Sequence, residues 1–252
     1  MKTLQKDLLT VQIHPTRSQM GQAAAKDIKA KILELLQKKE TINMIFAAAP
    51  SQNEVLEGLA KDREIPWNRV NAFHMDEYIG LPADAPQGFG NFLKAHIFGL
   101  ADFKSVNYID ISAVDADAEC RRYAALLKEY PTDIVVMGIG ENGHIAFNDP
   151  PVANFNDPVA VKPVPLDEIC RNQQVHDGCF ASINQVPTTA ITLTVPTLFA
   201  GTHLFCIVPA ATKAAAVKAT LNGPIGEACP ATVLRRHPSA VLYLDGDSSS
   251  LL

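Results

Sequence analysis

Three glycines within six positions, Gly138, Gly140 and Gly143, restrict the fold of this chain more than any other feature. They follow four apolar residues, Ile134 to Met137, and lead into His144-Ile-Ala-Phe-Asn-Asp149-Pro-Pro151. A short apolar run ended by glycine reads as a strand buried on both faces. Glycines this dense permit positive φ and let a backbone approach a ligand closely. Glu141, Asn142, His144, Asn148 and Asp149 crowd the same bend. Open α/β sheets bind ligands at the carboxyl ends of their strands. A polar turn with a solvated histidine would need neither three glycines nor a Pro-Pro stop, so a functional site is expected here.

The remaining elements supply the layers such a strand requires. Ala24, Ile28, Ile32, Leu35 and Leu36 form one apolar stripe and predict a helix over 17–40. Residues 41–48 predict a central strand. The turn Ala47-Ala-Ala-Pro-Ser51 then enters a helix over 52–61, with Ser51 as N-cap and Glu54 as its capping-box partner. A strand over 69–74 runs into Asp76-Glu77, a second candidate site. Helices are expected over 88–98, 115–130, 196–200, 212–222 and 230–237, and strands over 106–109, 190–195, 203–208 and 240–244. The Pro- and Asn-rich stretch 152–187 predicts irregular structure with one short helix near 167–174, a candidate lid. This alternation implies an α/β fold: a three-layer, Rossmann-like, mostly parallel sheet with helices on both faces, in one domain spanning 1–252. The loop after Ala48, the Asp76-Glu77 pair and the 138–150 bend should then converge.

Composition excludes several function classes. Hydrophobic residues make up 47% and charged residues 19% of the chain, enough for a sizeable core. A net charge of −5 offers no general attraction for nucleic acid or acidic membranes. The Met1–Pro15 stretch lacks the apolar core of a secretory signal, and no run approaches the ~20 apolar residues that span a bilayer. Five scattered cysteines without a Cys-x-x-Cys pair suggest reduced thiols in a cytoplasmic protein, with no zinc site and no other metal or cofactor expected. Gly138-x-Gly140-x-x-Gly143 matches a dinucleotide fingerprint, but 144–150 does not read as the helix that should follow. No nucleophile elbow is present.

What remains is acid–base chemistry. Asp76, at a strand end, can take a proton from carbon, and His144 can shuttle one near neutral pH. A helix start at Ser51 and Lys213, opening another helix after a strand, could hold an anion, with phosphate the natural candidate. A lysine in a first helical turn opposes the helix dipole unless an anion is bound. Such a set suits enolisation of a phosphorylated sugar.

Phe73-His-Met-Asp-Glu-Tyr-Ile-Gly-Leu-Pro82 and Gly138-Ile-Gly-Glu-Asn-Gly-His-Ile-Ala-Phe-Asn-Asp-Pro150 resemble the two signature stretches of the glucosamine-6-phosphate deaminase/isomerase family. Asn184-Gln-Val-Pro187 and the Pro209-to-Lys213 segment fit the same family, and the resemblance runs from about residue 20 to 245. The sister 6-phosphogluconolactonases carry a Leu-Phe-Pro-Gly type ending where this chain has Phe147-Asn-Asp-Pro150, which favours the amino-sugar branch. The resemblance implies metal-free conversion of glucosamine 6-phosphate and water to fructose 6-phosphate and ammonia. It makes Asp76 the enolisation base and His144 the proton carrier for ring opening, supported by Asn142 and Asp149. Lys213 would hold the phosphate against the turn at Ala48, Ala49 and Ser51, with Arg171 the nearest counterpart of the family's phosphate arginine.

This chain departs from the family at several of these positions. Asn142 stands where aspartate is common and Asp149 where glutamate is common, and an amide cannot stabilise an imidazolium by charge. The phosphate turn is rich in alanine rather than glycine and threonine. A lactonase, a plain sugar-phosphate isomerase and a non-catalytic sugar-phosphate sensor remain alternatives, and homo-oligomerisation is left open. The expected partner is a small-molecule sugar phosphate.

Overall fold

A computed structural model describes residues 1–112 and 115–252. The chain opens with a hairpin of β1 (Lys2–Lys6) and β2 (Leu9–Ile13), then α1 (Arg17–Leu36), β3 (Ile42–Phe46), α2 (Asn53–Lys61) and β4 (Val70–His74). The short β5 (Asp76–Tyr78) follows, then α3 (Phe89–Leu93), β6 (Ser105–Asn107), α4 (Ala116–Glu129) and β7 (Ile134–Met137). The last part holds β8 (Val161–Pro165), α5 (Glu168–His176), β9 (Thr189–Leu193), α6 (Val195–Phe199), β10 (His203–Val208), α7 (Ala214–Asn222) and β11 (Ala240–Leu244).

Eight strands form one sheet in the order β1-β2-β11-β10-β7-β3-β4-β6, parallel throughout except for the β1–β2 hairpin. Successive side chains of a strand point to opposite faces, and two cores result. Met44, Phe46, Ile134, Val136, Phe205 and Ile207 pack on one face with Met20, Ala24, Ile28 and Ile32 of α1. Ile45, Val135, Met137, Leu204 and Cys206 pack on the other with Tyr123 and Leu127 of α4 and Val217 of α7. The expected three-layer, mostly parallel α/β fold is therefore observed. Caps set the helix starts: the Thr16 side chain accepts the Gln19 N–H of α1, and Asp115 accepts those of Asp117 and Ala118 in α4.

Several local expectations give way. The Met1–Pro15 stretch holds a hairpin whose five-residue strands carry little periodic signal; Leu9 and Val11 turn inward once β2 pairs with β11. The 152–187 region contains β8 ahead of its helix. β8 and β9 pair antiparallel with each other, and β9 with β5, in a separate three-stranded sheet. Ser51 is not an N-cap. Pro50 opens a 3₁₀ turn over Pro50–Gln52, so α2 starts later and has no side-chain cap. Glu54 instead pairs with Arg17 at 2.7 Å.

Three described non-glycine residues have positive φ, Asp7, Ala146 and Ala210, and Ala210 lies furthest from the region that side-chain-bearing residues adopt. After β10 the chain turns at Ala210, with φ 82° and ψ 148°, a region that is essentially glycine's. Its N–H donates to both oxygens of the buried Asp245 carboxylate, at 3.2 and 3.1 Å. This turn launches the 3₁₀ segment Ala211–Lys213. Ala210→Gly should release about 1–3 kcal/mol of strain, partly offset by about 0.4–1 kcal/mol of extra chain entropy in the unfolded state. A net gain near 1 kcal/mol raises Tm by roughly 2–4 °C at this size, measurable by thermal unfolding.

Candidate active site

A cleft opens where β3, β4, β7 and β10 end. Asp76, His144, Ala48, Ala49, Ser51 and Lys213 all line it. Residues separated by more than a hundred positions in the chain are thus brought to one place, as the parallel sheet requires.

Asp76 sits where the chain leaves the main sheet for the smaller one. Met75 accepts a hydrogen bond from the Leu193 N–H at 2.8 Å, and Asp76 pairs with Thr192 across the β5–β9 ladder. The Asp76 carboxyl is 7% exposed and has no protein hydrogen-bond partner among the described residues. Burial holds it well above the usual carboxylate range, and the charge of Glu77 adds to this. Glu77 plays a different part. Its oxygens accept from the N–H groups of Tyr78 and Phe89, both at 2.9 Å, and of Gly90 at 2.8 Å, pinning the start of α3. Burial raises its carboxyl too, against the pull of those three N–H groups.

His144 is built into the glycine bend. A Cβ at Gly140 would lie 2.1 Å from the His144 ring, so only glycine lets the imidazole lie over the turn. Gly143 has φ of +84° and would otherwise meet the Cys229 sulfur at 2.5 Å. The ring Nδ1 lies 2.8 Å from Asn142 Oδ1 and 2.9 Å from Asp149 Oδ1. Both oxygens are acceptors, so Nδ1 carries the proton and Nε2 keeps its lone pair. Asn142 Nδ2 donates to Asp149 Oδ1 at 2.8 Å, closing a triangle. Burial pushes the Asp149 carboxyl up, but the hydrogen bonds and charge of His144, with Asn142, outweigh it and leave the group below its ordinary value. The missing carboxylate at Asn142 therefore does not leave the imidazole without a counter-charge, because Asp149 supplies one directly. Glu141 faces elsewhere, 3.4 Å from His176.

The other end of the cleft suits an anion. Lys213 is 4% exposed and is the one lysine or arginine lining the cleft among the described residues. Burial pulls its ammonium below the usual lysine value, while Asp177 and Glu141 oppose that shift. No protein group bonds its Nζ among the described residues. The N–H groups of Ala48 and Ala49 likewise find no backbone acceptor there, and the Ser51 hydroxyl accepts from Gln52 Nε2 at 3.0 Å, leaving its own proton free. Alanines thus form the turn without the positive φ that glycine would offer.

Arg171 is not in the cleft. Its guanidinium donates to the carbonyls of Ile183 and Val186 at 2.7 and 2.9 Å, tying α5 to the segment after it. The opposite face of α5 turns Cys170, Gln173 and Gln174 inward, and both glutamines line the cleft with Asp177. Sequence reasoning missed them. Their i, i+3, i+4 spacing from the apolar Cys170 was the available signal. Cys170 Sγ also lies within 4.8 Å of both the His144 ring and the Asp149 carboxylate, a donor set that zinc can use. In this structure His144 Nδ1 and Asp149 Oδ1 lie within hydrogen-bond distance of each other.

Fold and cleft define an α/β protein with a buried carboxyl, a histidine and a buried lysine gathered at the carboxyl edge of a parallel sheet. Residues 15–243 match the family described as glucosamine-6-phosphate isomerases/6-phosphogluconolactonase. The glucosamine-6-phosphate deaminase of Listeria innocua is 33% identical over 225 residues, covering 88% of this chain and 94% of the relative. That of Bacillus cereus is 32% identical over 243 residues, covering 96% and 89%. A solved monomeric glucosamine-6-phosphate deaminase superposes with a TM-score of 0.86 at 27% identity, covering 96% of this chain and 99% of that one. The 6-phosphogluconolactonase of Thermotoga maritima superposes at 0.77 with 20% identity, covering 94% and 99%, a likeness of fold. The chain belongs to the glucosamine-6-phosphate isomerase/6-phosphogluconolactonase family. No helix among the described residues is long and apolar enough to cross a membrane.

A buried ammonium without a protein partner among the described residues, in one cleft with N–H groups that find no backbone acceptor there, should bind a small anion. Inorganic phosphate is expected to raise the Tm of the wild type in thermal-shift titrations, by binding linkage. Lys213→Met, which removes the buried charge, should fold and lose that response.

Proposed function

We propose that this protein is an amino-sugar-phosphate deaminase/isomerase. It converts glucosamine 6-phosphate, or a related hexosamine 6-phosphate, and water to a ketohexose 6-phosphate and ammonia. The observation that carries this reading is the Asp76 carboxyl: buried, unpartnered and facing the same cleft as a histidine of defined tautomer. The deaminase relatives above 30% identity support the same chemistry.

In this reading Lys213, the N–H groups of Ala48 and Ala49 and the Ser51 hydroxyl hold the phosphate. His144 Nε2 takes the anomeric hydroxyl proton and returns it to the ring oxygen, so the sugar opens. The imidazolium formed in between is stabilised by Asp149 and oriented by Asn142. Asp76, as carboxylate, then takes the proton from C2 and delivers it to C1. Its raised proton affinity brings it closer to the weakly acidic carbon, which is the advantage of burying a general base. The enamine that results becomes an imine at C2, and water releases ammonia and leaves the ketone. Gln174, Gln173 and Asp177 face the substrate at the anion end. They make this end less cationic than a site with an arginine would be, and so favour contacts to sugar hydroxyls. A free-thiol protein acting on a soluble sugar phosphate fits the cytoplasm.

The test is a coupled assay for ammonia and ketose phosphate across a panel of hexosamine 6-phosphates. Hydrolysis of a 6-phosphogluconolactone without ammonia from any hexosamine phosphate would replace this reading with the lactonase. Asp76→Asn should abolish ammonia release and yet stabilise the fold at neutral pH. A carboxyl whose folded proton affinity is raised favours folding most when protonated, and that contribution is lost as pH rises through its folded value. At pH 7 the aspartate must either stay ionised while buried or take up a proton as the chain folds, both of which cost stability, and asparagine removes that cost. The Tm advantage of the variant should shrink to nothing below about pH 4, where the unfolded aspartate is itself protonated.

A further inference from the structure

His74 ends β4 two residues before the proposed base, and it is completely buried. Its ring bridges two pieces of backbone. Nδ1 lies 2.9 Å from the main-chain carbonyl of Asp76, and Nε2 lies 2.9 Å from the amide of Ile109. A carbonyl only accepts and an amide N–H only donates, so the tautomer is determined: Nδ1–H gives to Asp76 and Nε2 receives from Ile109. The backbone of the same residue is clamped as well. The Tyr123 hydroxyl lies 3.0 Å from the His74 N–H and donates to the His74 carbonyl at 2.9 Å. Tyr108 and Tyr123 flank the ring edge-to-face, at 5.9 and 6.2 Å between centroids.

The need for such a clamp follows from the topology. At Met75 the chain leaves the eight-stranded sheet and joins the three-stranded one, so β4 and β5 share no ladder. Asp76 pairs on one side only, with Thr192. Among the described residues its carboxyl has no hydrogen-bond partner of its own to orient it. The imidazole of His74 is the contact that ties the Asp76 peptide back to the main sheet's edge, through the segment that follows β6.

Resting on the deaminase reading above, we propose that His74 is a positioning residue: a neutral imidazole spacer that holds the Asp76 peptide so that its carboxylate stays aimed into the cleft. A neutral ring is required. Protonation would set an Nε2–H against the Ile109 N–H, and burial also opposes the charge, so the ring is pushed down to about 4. The spacer thus keeps its form throughout the neutral range and adds no charge beside the base.

The test compares wild type with His74→Phe, which fills the space without either hydrogen bond, and His74→Asn, whose amide can still donate to the Asp76 carbonyl. His74→Phe should lose kcat by roughly 10²-fold, the scale of a small misplacement of a reacting group, with KM for the sugar phosphate little changed. His74→Asn should recover part of kcat. A second readout is independent of turnover: the ¹³Cγ titration of Asp76 in aspartate-labelled protein, assigned with Asp76→Asn. It should sit above the ordinary carboxylate value in wild type and fall toward ~3.9 in His74→Phe as the carboxyl leaves its buried place. A folded His74→Phe protein with wild-type kcat or an unmoved Asp76 titration overturns the proposal. So does equal loss in both variants, with stability falling alongside and the titration unmoved. If wild type releases no ammonia from any hexosamine phosphate, the functional reading fails by itself, and the Asp76 titration still decides the positioning role.

Discussion

Two ionisable groups of opposite type, the Asp76 carboxyl and the Lys213 amine, are buried in one cleft without pairing with each other. Most of the surrounding architecture follows from that constraint. An unpaired buried charge is expensive, and both groups show it: burial moves Asp76 up and Lys213 down from their ordinary values. Had they met, the pair would have been stable and chemically inert. The sheet separates them by placing one beyond β4 and the other beyond β10, with β7 and β3 between. Strain at Ala210 and the passage of the chain into a second sheet at Met75 are the local consequences of putting each where it stands.

His144 is treated differently: it has partners of its own, where Asp76 and Lys213 have none among the described residues. It is paired, through Asp149, and its ring is seated on a glycine. The amide at Asn142 sits between the ring and the carboxylate. It accepts from Nδ1, donates to Asp149 and holds the carboxylate at the ring, so orientation and counter-charge come from two residues. Asp149 reaches the ring directly, 2.9 Å from Nδ1. The lysine end has no comparable compensation. Arg171 is committed to backbone carbonyls, and the face of α5 that looks into the cleft carries amides and a carboxylate. This end is where the chain departs most from a strongly cationic phosphate pocket.

The bends that carry Asp76 and His144 were legible because their residue types are hard to explain otherwise: dense glycine, adjacent acids and prolines at the end of apolar runs. The long helices were legible from their apolar stripes. Short, half-exposed strands such as β1 and β8 were not, since five residues hold too few alternations to register. Ser51 carried a sound capping signature that lost to Pro50, whose ring favours a tight turn one step earlier, and to Arg17, which claims Glu54 from another helix. Arg171 illustrates the same limit. The family resemblance made it the nearest counterpart of a phosphate arginine, but helical phase, with Cys170 buried, turns it to the backbone carbonyls of Ile183 and Val186.

The amino-acid order by itself determined the layer pattern, the two polar bends and the identity of the acid, the histidine and the lysine, because hydrophobic period and turn chemistry act over a few residues. Tertiary structure decided which of these groups share water, which are stripped of it and which meet. Only there does Asp149 become the partner of His144, Gln174 replace Arg171 at the cleft, and His74 bridge Asp76 to Ile109. Proton affinity depends on burial and on neighbours distant in the chain, and those exist only once the sheet has closed.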